Sequence, residues 1–223
     1  MAKVAVLHTS FVFVTVEPVI TDLISELIPD AEILHFVDSD VLATVVRENG
    51  ISPSSEQRMV HLAEAAEAAG ADVIFSACSS LGPTLDAAQR AVGVPVVKID
   101  QAMAETAAAA DRIGILATVP TTLGPTADLI TAAAETGGRT PRIIKQLCAG
   151  AFDVLMAGDR ERHDQMVVDQ AQQLVGQVDV IVLAQASMNR LADRLGEQTG
   201  LPVLSSPRSG VENLARIVRE QTA

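Results

Sequence analysis

Short apolar runs alternate along this chain with longer, alanine-rich stretches in which apolar residues recur at helical spacing. The apolar runs predict buried strands at Lys3–Leu7, Asp72–Phe75, Val94–Val97, Arg112–Ala117, Val178–Leu183 and Leu201–Leu204. The longer stretches predict helices at Ser55–Ala69, Leu81–Ala91, Gln101–Ala110, Thr121–Thr136, Arg160–Gly176 and Ser187–Gln198. Such dense alternation predicts an α/β fold with right-handed βαβ units and mostly parallel sheets flanked by helices.

The second half of the chain repeats the pattern of the first half. Residues 72–97, DVIFSACSSLGPTLDAAQRAVGVPVV, align without a gap on residues 179–204, DVIVLAQASMNRLADRLGEQTGLPVL, and nine positions are identical. No low-complexity linker separates the halves. We predict two similar half-domains, residues 1–100 completed by a C-terminal helix over 205–223, and residues 101–204. Like half-domains usually pack about a pseudo-two-fold axis, so we expect the active site in the cleft between them.

Composition narrows the classes of function. The chain has 223 residues and a net charge of −12, with five Phe and neither Trp nor Tyr. An acidic surface repels phosphate backbones, and single-strand binders need aromatic side chains on which bases stack. The composition therefore argues against a nucleic-acid partner.

The N-terminal segment and the two cysteines indicate the cellular compartment of the protein. Polar residues, among them His8, Thr15 and Glu17, interrupt the apolar stretch from Val4 to Ile20, and no small-residue cleavage signal follows it. No segment approaches the roughly 18–20 apolar residues that a membrane span requires. Two cysteines make no disulfide framework in a chain of this length, and they indicate reduced thiols. We predict a cytoplasmic protein without a membrane partner.

Polar loops follow several of the predicted strands. In parallel sheets, functional side chains collect in the loops after the carboxyl ends of the strands. The candidate substrate-binding residues in these loops are Thr9, Ser10, Ser79, Ser80, Thr118, Thr121, Thr122, Gln185 and Ser187. Most of these loops lead to predicted helix starts, whose unpaired N–H groups bind anions such as a carboxylate. The same hydroxyl groups would also serve as helix N-caps, and that alternative stays open.

Cys78 is the single residue for which the sequence most clearly indicates a function. It follows a predicted buried strand and precedes a helix opening at Leu81-Gly82-Pro83, where proline is favoured in the first turn. A thiol just ahead of a helix N-terminus has a stabilised thiolate, so its pKa falls below the ~8.5 of free cysteine. We predict a functional thiol, against the alternative of a small buried apolar residue. Cys148 has no counterpart in the repeat, and we predict it in the core.

The remaining histidines carry weaker signals. His163 and Asp164 lie near the start of a predicted helix, where an acidic residue is favoured anyway, and we predict surface structure there. His35 ends a predicted short strand and His61 lies in a helix rich in Ala and Glu, so both are predicted to be structural. No Cys, His or Asp cluster has metal-ligand spacing, and no glycine-rich nucleotide or phosphate loop occurs. We predict no metal and no cofactor.

The chain resembles the aspartate/glutamate racemase superfamily, and within it most the hydantoin racemase branch. The resemblance covers essentially the whole chain and rests on ACSSLGPTLDAA around Cys78, IGILAT at the start of the second half, and VLAQASMNRLADRL near the end. It implies two similar α/β half-domains with the site between them. It also implies cofactor-independent chemistry by two cysteines that face each other across the substrate. One removes the α-proton as a thiolate, and the other returns a proton from the opposite face.

The sequence departs from that pattern at the second cysteine. Cys78 matches the first cysteine, but the turn expected to hold the second reads Leu183-Ala184-Gln185. An amide neither takes nor gives a proton near neutral pH, so the two-cysteine mechanism does not carry over. Three enzymatic options stay open. His8 serves as the partner base in a racemase or epimerase, Cys78 acts alone as the acid in a cofactor-free decarboxylase, or Cys78 is the nucleophile of a covalent isomerisation.

We therefore expect a cofactor-independent isomerase or racemase that acts at the α-carbon of a small carboxylic acid or its cyclic amide. Fixed donors must hold the charge that develops on a carboxylate or enediolate, and the polar loops with Gln185 are the candidates. The alternatives are a decarboxylase or other lyase, and a non-catalytic protein that binds a small carboxylate. Apolar helix faces such as the one around Ala107–Ala110 are compatible with a homo-oligomer.

Overall fold

The computed structural model describes residues 1–16 and 18–222. The chain divides into two compact units: Met1–Ile99 together with the segment from Pro207 onward, and Asp100–Ser206. Each unit contains one four-stranded sheet, and every strand pair in both sheets is parallel. The predicted α/β class with two half-domains is confirmed. Within the described residues, no helix combines the length and apolar character needed to cross a membrane.

The first unit begins with the sheet whose strand order is β2-β1-β3-β4. Its strands are β1 (Lys3–His8), β2 (Glu32–Val37), β3 (Val73–Ser76) and β4 (Val96–Lys98). Its helices up to residue 99 are α1 (Val19–Leu27), α2 (Val41–Arg47), α3 (Pro53–Ala68) and α4 (Leu85–Ala91). A π-helical turn covers Val12–Val16, and a 3₁₀ helix over Ser79–Thr84 leads into α4. Ser52 caps α3 by accepting a hydrogen bond from the Ser55 N–H, and Pro53 follows at the first helical position.

The second unit repeats this plan with the strand order β6-β5-β7-β8. Its strands are β5 (Arg112–Ala117), β6 (Arg142–Leu147), β7 (Val180–Leu183) and β8 (Val203–Ser205). Its helices are α5 (Gln101–Ala107), α6 (Pro120–Thr136), α7 (Ala151–Met156), α8 (Arg160–Gln172) and α9 (Ala192–Thr199). A 3₁₀ helix over Ala186–Leu191 leads into α9, as its counterpart leads into α4.

The outer strands are where the sequence prediction falls short. The short strand predicted to end at His35 continues to Val37, so this histidine lies inside β2. Strand β6 was not predicted at all. Its sequence RIIKQL has no fully buried residue, because it lies at the edge of its sheet and mixes apolar with charged positions. The central strands β1, β3, β5 and β7 are buried on both faces and read as continuous apolar runs.

The cores lie on the faces of each sheet. In the first unit, Ala5, Leu7 and Ile74 pack with residues of α2, α3 and α4. In the second unit, alternate residues of β5 and β7 point to opposite faces. One face packs against α8 and α9 through Leu116 and Leu183, and the other packs against α5 and α6. This burial fixes the strands, and it therefore fixes the positions of the loops at their carboxyl ends.

Helix α10 (Ser206–Thr222) completes the first unit. Residue 223 of the predicted C-terminal helix lies outside the described residues. One face of α10 is buried through Val211, Leu214 and Ala215. Gly210 lies on this helix so close to the backbone of Ile99 that an added Cβ would be 2.2 Å from the Ile99 carbonyl oxygen. The close approach therefore requires glycine at this position.

Candidate active site

Cys78 lies at the rim of the first unit, between its core and solvent. Strand β3 ends at Ser76, and the chain is still extended at Cys78, with φ −132° and ψ 109°, before the 3₁₀ helix starts. The thiol is partly buried and packs against the cluster that contains Ala5 and Leu7. The 3₁₀ helix is stabilised within itself, since the Thr84 hydroxyl donates to the Leu81 carbonyl at 2.7 Å. A reduced thiol is thus held at the carboxyl edge of a buried strand.

The other polar candidates of the first unit lie at the same sheet edge. Thr9 and Ser10 follow β1, and Ser79 and Ser80 follow Cys78. Strands β1 and β3 are hydrogen-bonded neighbours, so the two loops are adjacent. Thr9, Ser79 and Ser80 are buried, whereas Ser10 is partly exposed. The structure therefore brings these four side chains and Cys78 to one edge of the first sheet.

His8 belongs to a different environment. Side chains alternate along a strand, so His8 shares a sheet face with Val6, whereas Cys78 packs with Leu7 on the other face. His8 is 1% exposed, and its Nε2 lies 3.0 Å from Nδ1 of His35. Burial, and secondarily the neighbouring His35, lower the pKa of His8 to about 4. The structure does not bring this ring to the face where Cys78 packs.

The buried His8 predicts a pH dependence of stability. Its folded-state pKa of about 4 lies below the unfolded value of 6.5, so the unfolded chain binds more protons between these values. The stabilisation is complete above pH 6.5 and is lost as the pH falls towards 4. We expect a loss of at most about 3 kcal/mol in the free energy of unfolding. Burial also lowers the pKa of His35, which adds a change of the same sign.

Urea unfolding at pH 7, 6 and 5 measures this effect. His8→Phe removes the titrating group and should flatten the pH dependence. His61 is an exposed histidine on α3, and the control His61→Gln should keep the wild-type slope. A His8→Phe protein that loses as much stability as the wild type on acidification would contradict the assignment.

Gln185 holds the equivalent position in the second unit. It follows β7 as Cys78 follows β3, with φ −135° and ψ 135°, and it also precedes a 3₁₀ helix. Its Oε1 accepts hydrogen bonds from the N–H groups of Thr118 and Val119 at 2.6 and 3.1 Å, and from the Thr118 hydroxyl at 3.0 Å. The side chain of Gln185 thus links the loop after β7 to the turn after β5. The sequence indicates both loops but not this contact.

The remaining candidates of the second unit differ in how their hydroxyl groups are used. Thr122 is buried, and its hydroxyl donates to the Val119 carbonyl at 2.8 Å, which stabilises the first turn of α6. Thr121 on the same turn and Ser187 after Gln185 are partly exposed. Thr122 is therefore occupied within its own turn, but it does not act as an N-cap, because its hydroxyl donates to a carbonyl and Val119 is the N-cap of α6.

The prediction of surface structure at His163 and Asp164 is wrong. His163 is 1% exposed, and its Nδ1 lies 2.8 Å from Oδ1 of Asp164. Arg190, from the 3₁₀ helix after Gln185, binds both carboxylate oxygens of Asp164. Burial raises the pKa of Asp164, but the hydrogen bonds and charges of Arg190 and His163 outweigh it and leave the pKa lowered. A single sequence shows no sign of this network, because its partners are 26 residues apart.

Cys148 is a core residue, as predicted. It is 1% exposed, and burial raises the pKa of its thiol to about 12. It packs with Leu116 and Val167 in the core of the second unit. Across residues 1–16 and 18–222, no group of three or more His, Cys, Asp or Glu residues is arranged to hold a metal ion.

A family comparison identifies the class of protein. The sequence profile described as Asp/Glu/hydantoin racemase matches residues 14–214. The chain therefore belongs to the Asp/Glu/hydantoin racemase family, which confirms the resemblance seen in the sequence and the assignment to the isomerase class of enzymes. A search by sequence among curated proteins gives no match.

Solved structures agree in fold across nearly the whole chain. A glutamate racemase from Bacillus anthracis is 18% identical, with a TM-score of 0.79 over 99% of this chain and 82% of that chain. An allantoin racemase from Klebsiella pneumoniae is 19% identical, with a TM-score of 0.67 over 99% of this chain and 89% of that chain. An aspartate racemase homologue from Pyrococcus horikoshii is 16% identical, with a TM-score of 0.65 over the full length of both. At these identities the similarity shows the fold.

Proposed function

We propose that this protein is a cofactor-independent isomerase of the racemase type that transfers a proton at the α-carbon of a small carboxylic acid or cyclic amide. Cys78 is the proton carrier. The observation that carries the proposal is the position of this partly exposed thiol at the carboxyl end of β3, beside the hydroxyl-rich loops of the same sheet edge. Cys148 offers no alternative, because burial raises the pKa of its thiol to about 12.

The proposed reaction at Cys78 is general acid–base catalysis. The thiolate takes the proton from the α-carbon, and the electron pair of the broken C–H bond passes to the adjacent carbonyl carbon and oxygen as an enediolate or enolate. A proton that the Cys78 thiol returns goes back to the same face, which restores the thiolate with retention of configuration. Inversion needs a proton on the opposite face, and we propose that water delivers it there while the Cys78 thiol releases its own proton to solvent. Preorganised donors lower the barrier by holding the oxygen that becomes negative, and one good donor contributes on the order of 3 kcal/mol. Ser79, Ser80, Thr9 and Ser10 are the proposed donors of the first unit.

The second unit carries an equivalent set of polar strand-end loops. Gln185 occupies the position equivalent to Cys78 in the repeated strand–turn–helix segment. We propose that Gln185, Thr121 and Ser187 bind polar groups of the substrate, and that Thr118 positions the Gln185 amide.

The substrate class follows from the charges near the proposed site. Arg190, the cation nearest to Gln185 in sequence, is paired with Asp164, and Lys98 at the end of β4 is paired with Asp86 at 2.8 Å. Neither cation is therefore available to neutralise a second carboxylate. This favours a monocarboxylic acid or a neutral ring over a dicarboxylic acid. Allantoin, the compound in the name of one structural relative, represents the neutral rings, and glutamate represents the diacids.

A second candidate function is a cofactor-free decarboxylase, and the amide at position 185 favours it. Gln185 cannot return a proton near neutral pH, whereas decarboxylation needs a proton on one face only. In this reaction the C–C bond to the departing carboxylate breaks and carbon dioxide leaves. The electron pair of that bond stays on the α-carbon. Cys78 then protonates the resulting enediolate.

Reduced cysteines fit a reducing compartment, and the cytoplasm is the location that we propose.

Deuterium incorporation tests both candidates. The protein is incubated in D2O with the separate enantiomers of glutamate, aspartate, allantoin and 5-methylhydantoin, and with 2-methyl-2-phenylmalonate. NMR and mass spectrometry measure label at the α-carbon, and chiral chromatography measures configuration. Label with inversion supports the racemase, and labelled monoacid from the malonate supports the decarboxylase. A wild-type protein that leaves every compound unlabelled contradicts both functions.

A further inference from the structure

The two equivalent strand-end positions carry side chains of opposite chemical character. Cys78 and Gln185 each follow a central strand, each is extended, and each precedes a six-residue 3₁₀ helix. A thiol exchanges a proton within the physiological pH range, whereas an amide only forms hydrogen bonds. The two equivalent backbone positions therefore carry different groups: Cys78 is an acid–base group, and Gln185 is a hydrogen-bonding group.

The orientation of the Gln185 amide is determined by its partners. Two of the three groups that contact Oε1 are backbone N–H groups, those of Thr118 and Val119. A backbone N–H can only donate, so the atom that faces it must be the oxygen and the other must be Nε2. With three donors on Oε1, its acceptor capacity is used within the protein. Gln185 consequently presents only N–H donors to anything that binds beside it.

Those donors are not used within the described part of the chain. Every hydrogen bond of the Gln185 side chain in residues 1–16 and 18–222 goes to Oε1, and the side chain is partly exposed. Ser187, two residues further on, is also partly exposed, and no partner for its hydroxyl occurs in those residues. By contrast, the amide of Gln89 on α4 is used at both ends, since Oε1 accepts from Val96 N–H at 2.8 Å and Nε2 donates to the Val94 carbonyl at 3.1 Å.

We propose that Gln185 is a substrate-binding donor whose Nε2 holds an oxygen atom of the substrate, assisted by the Ser187 hydroxyl. The ligand group is a carboxylate or an amide carbonyl, because either accepts two N–H or O–H donors. The amide takes no part in proton transfer, which is left to Cys78 and solvent. This inference rests on the proposed function and adds the division of roles between the two units. Thr118 is a positioning residue, since its N–H and hydroxyl fix the amide.

Two substitutions at position 185 separate the donor role from a structural one. Gln185→Glu keeps an oxygen for the Thr118 and Val119 donors but replaces Nε2 by a negatively charged acceptor. Gln185→Met removes the donor without adding charge. We expect each to lower kcat/KM for α-proton exchange by roughly 100-fold, as expected for losing a hydrogen bond to a charged group. In Gln185→Met, the pH profile of kcat should keep the pKa values of the wild type, because Cys78 is unchanged.

The ligand and the control refine the test. Gln185→Glu should weaken the binding of a carboxylate such as glutamate more than the binding of neutral allantoin. Gln185→Met should weaken the binding of both compounds to a similar extent. Gln89→Glu alters an amide that also accepts a hydrogen bond from a backbone N–H, that of Val96, and it should leave kcat/KM within about threefold of the wild type. Melting temperatures of all three variants show whether a loss reflects unfolding. Unchanged kinetics in folded Gln185→Glu and Gln185→Met would overturn the proposal.

Failure of the proposed function gives a different pattern. In that case the wild type shows no exchange that depends on Cys78, and calorimetric titration with glutamate and allantoin takes the place of kinetics. Weaker binding to Gln185→Met than to the wild type would still support the donor role. Equal affinity, or no binding of either compound to the wild type, would overturn it.

Discussion

Cys78→Ser should lower the rate of α-proton exchange by about 10³-fold, within the range for loss of a general acid–base group. Serine keeps the size of the side chain and its capacity for hydrogen bonds, but its hydroxyl does not ionise near neutral pH. The packing of residue 78 against the core around Leu7 should survive, because oxygen replaces sulfur without adding volume. The measurement is the rate of deuterium incorporation at saturating substrate, followed by NMR.

The matched control is Cys148→Ala. Cys148 is buried in the second unit, and burial raises the pKa of its thiol to about 12, so it carries no thiolate at neutral pH. Its replacement should leave the exchange rate within about threefold of the wild type, since it packs in the core of the second unit. Iodoacetamide should likewise label Cys78 and abolish exchange before Cys148 reacts. Equal exchange by wild type and Cys78→Ser would remove Cys78 from the mechanism.

Gly210→Ala should destabilise the protein by about 3 kcal/mol or more, at the upper end of the range for overpacking. The added methyl group would lie 2.2 Å from the Ile99 carbonyl oxygen and 3.0 Å from its carbonyl carbon. Both are backbone atoms, so no rotation of a side chain relieves the clash. Helix α10 must move away from Ile99, and burial of residues such as Val211 and Leu214 is lost. Urea unfolding monitored by circular dichroism measures the change.

Gly196→Ala provides the comparison on α9. The nearest atom to its added Cβ is the Leu201 carbonyl oxygen at 3.7 Å, which is ordinary van der Waals contact. Alanine is favoured over glycine within a helix, so this substitution should stabilise the protein by about 0.5–1 kcal/mol. If Gly210→Ala and Gly196→Ala had the same effect on the free energy of unfolding, the close approach of α10 to Ile99 would be refuted.

The fold was predictable because its central strands are buried on both faces. Strands β1, β3, β5 and β7 stand out as apolar runs, and the alignment of residues 72–97 on 179–204 matches β3 and β4 with β7 and β8, which hold the same places in the two sheets. Strand β6 escaped prediction because an edge strand with charged residues such as Arg142 and Lys145 resembles a loop. The start of α4 was also placed too early, since a 3₁₀ helix with Pro83 comes first.

The candidate site was predictable only as a set of loops. The rule that side chains collect at the carboxyl ends of parallel strands selected the segments of Cys78 and Gln185. What each side chain does depends on contacts between distant parts of the sequence. The bonds from Thr118 to Gln185 and from Arg190 to Asp164 join residues 67 and 26 apart. The face on which His8 lies likewise depends on strand register, which composition does not reveal.

The division of the first unit into two chain segments has a consequence for how the protein is made. Asp100–Ser206 forms a continuous unit, whereas Met1–Ile99 is completed only by the segment that begins at Pro207. During synthesis from the N-terminus, the second unit has all of its residues before the first has its last helix. The sheet of the first unit is therefore made before the second unit but is fully covered only after it. A chain ending early would lose the partner of Ile99 and expose the half that carries Cys78.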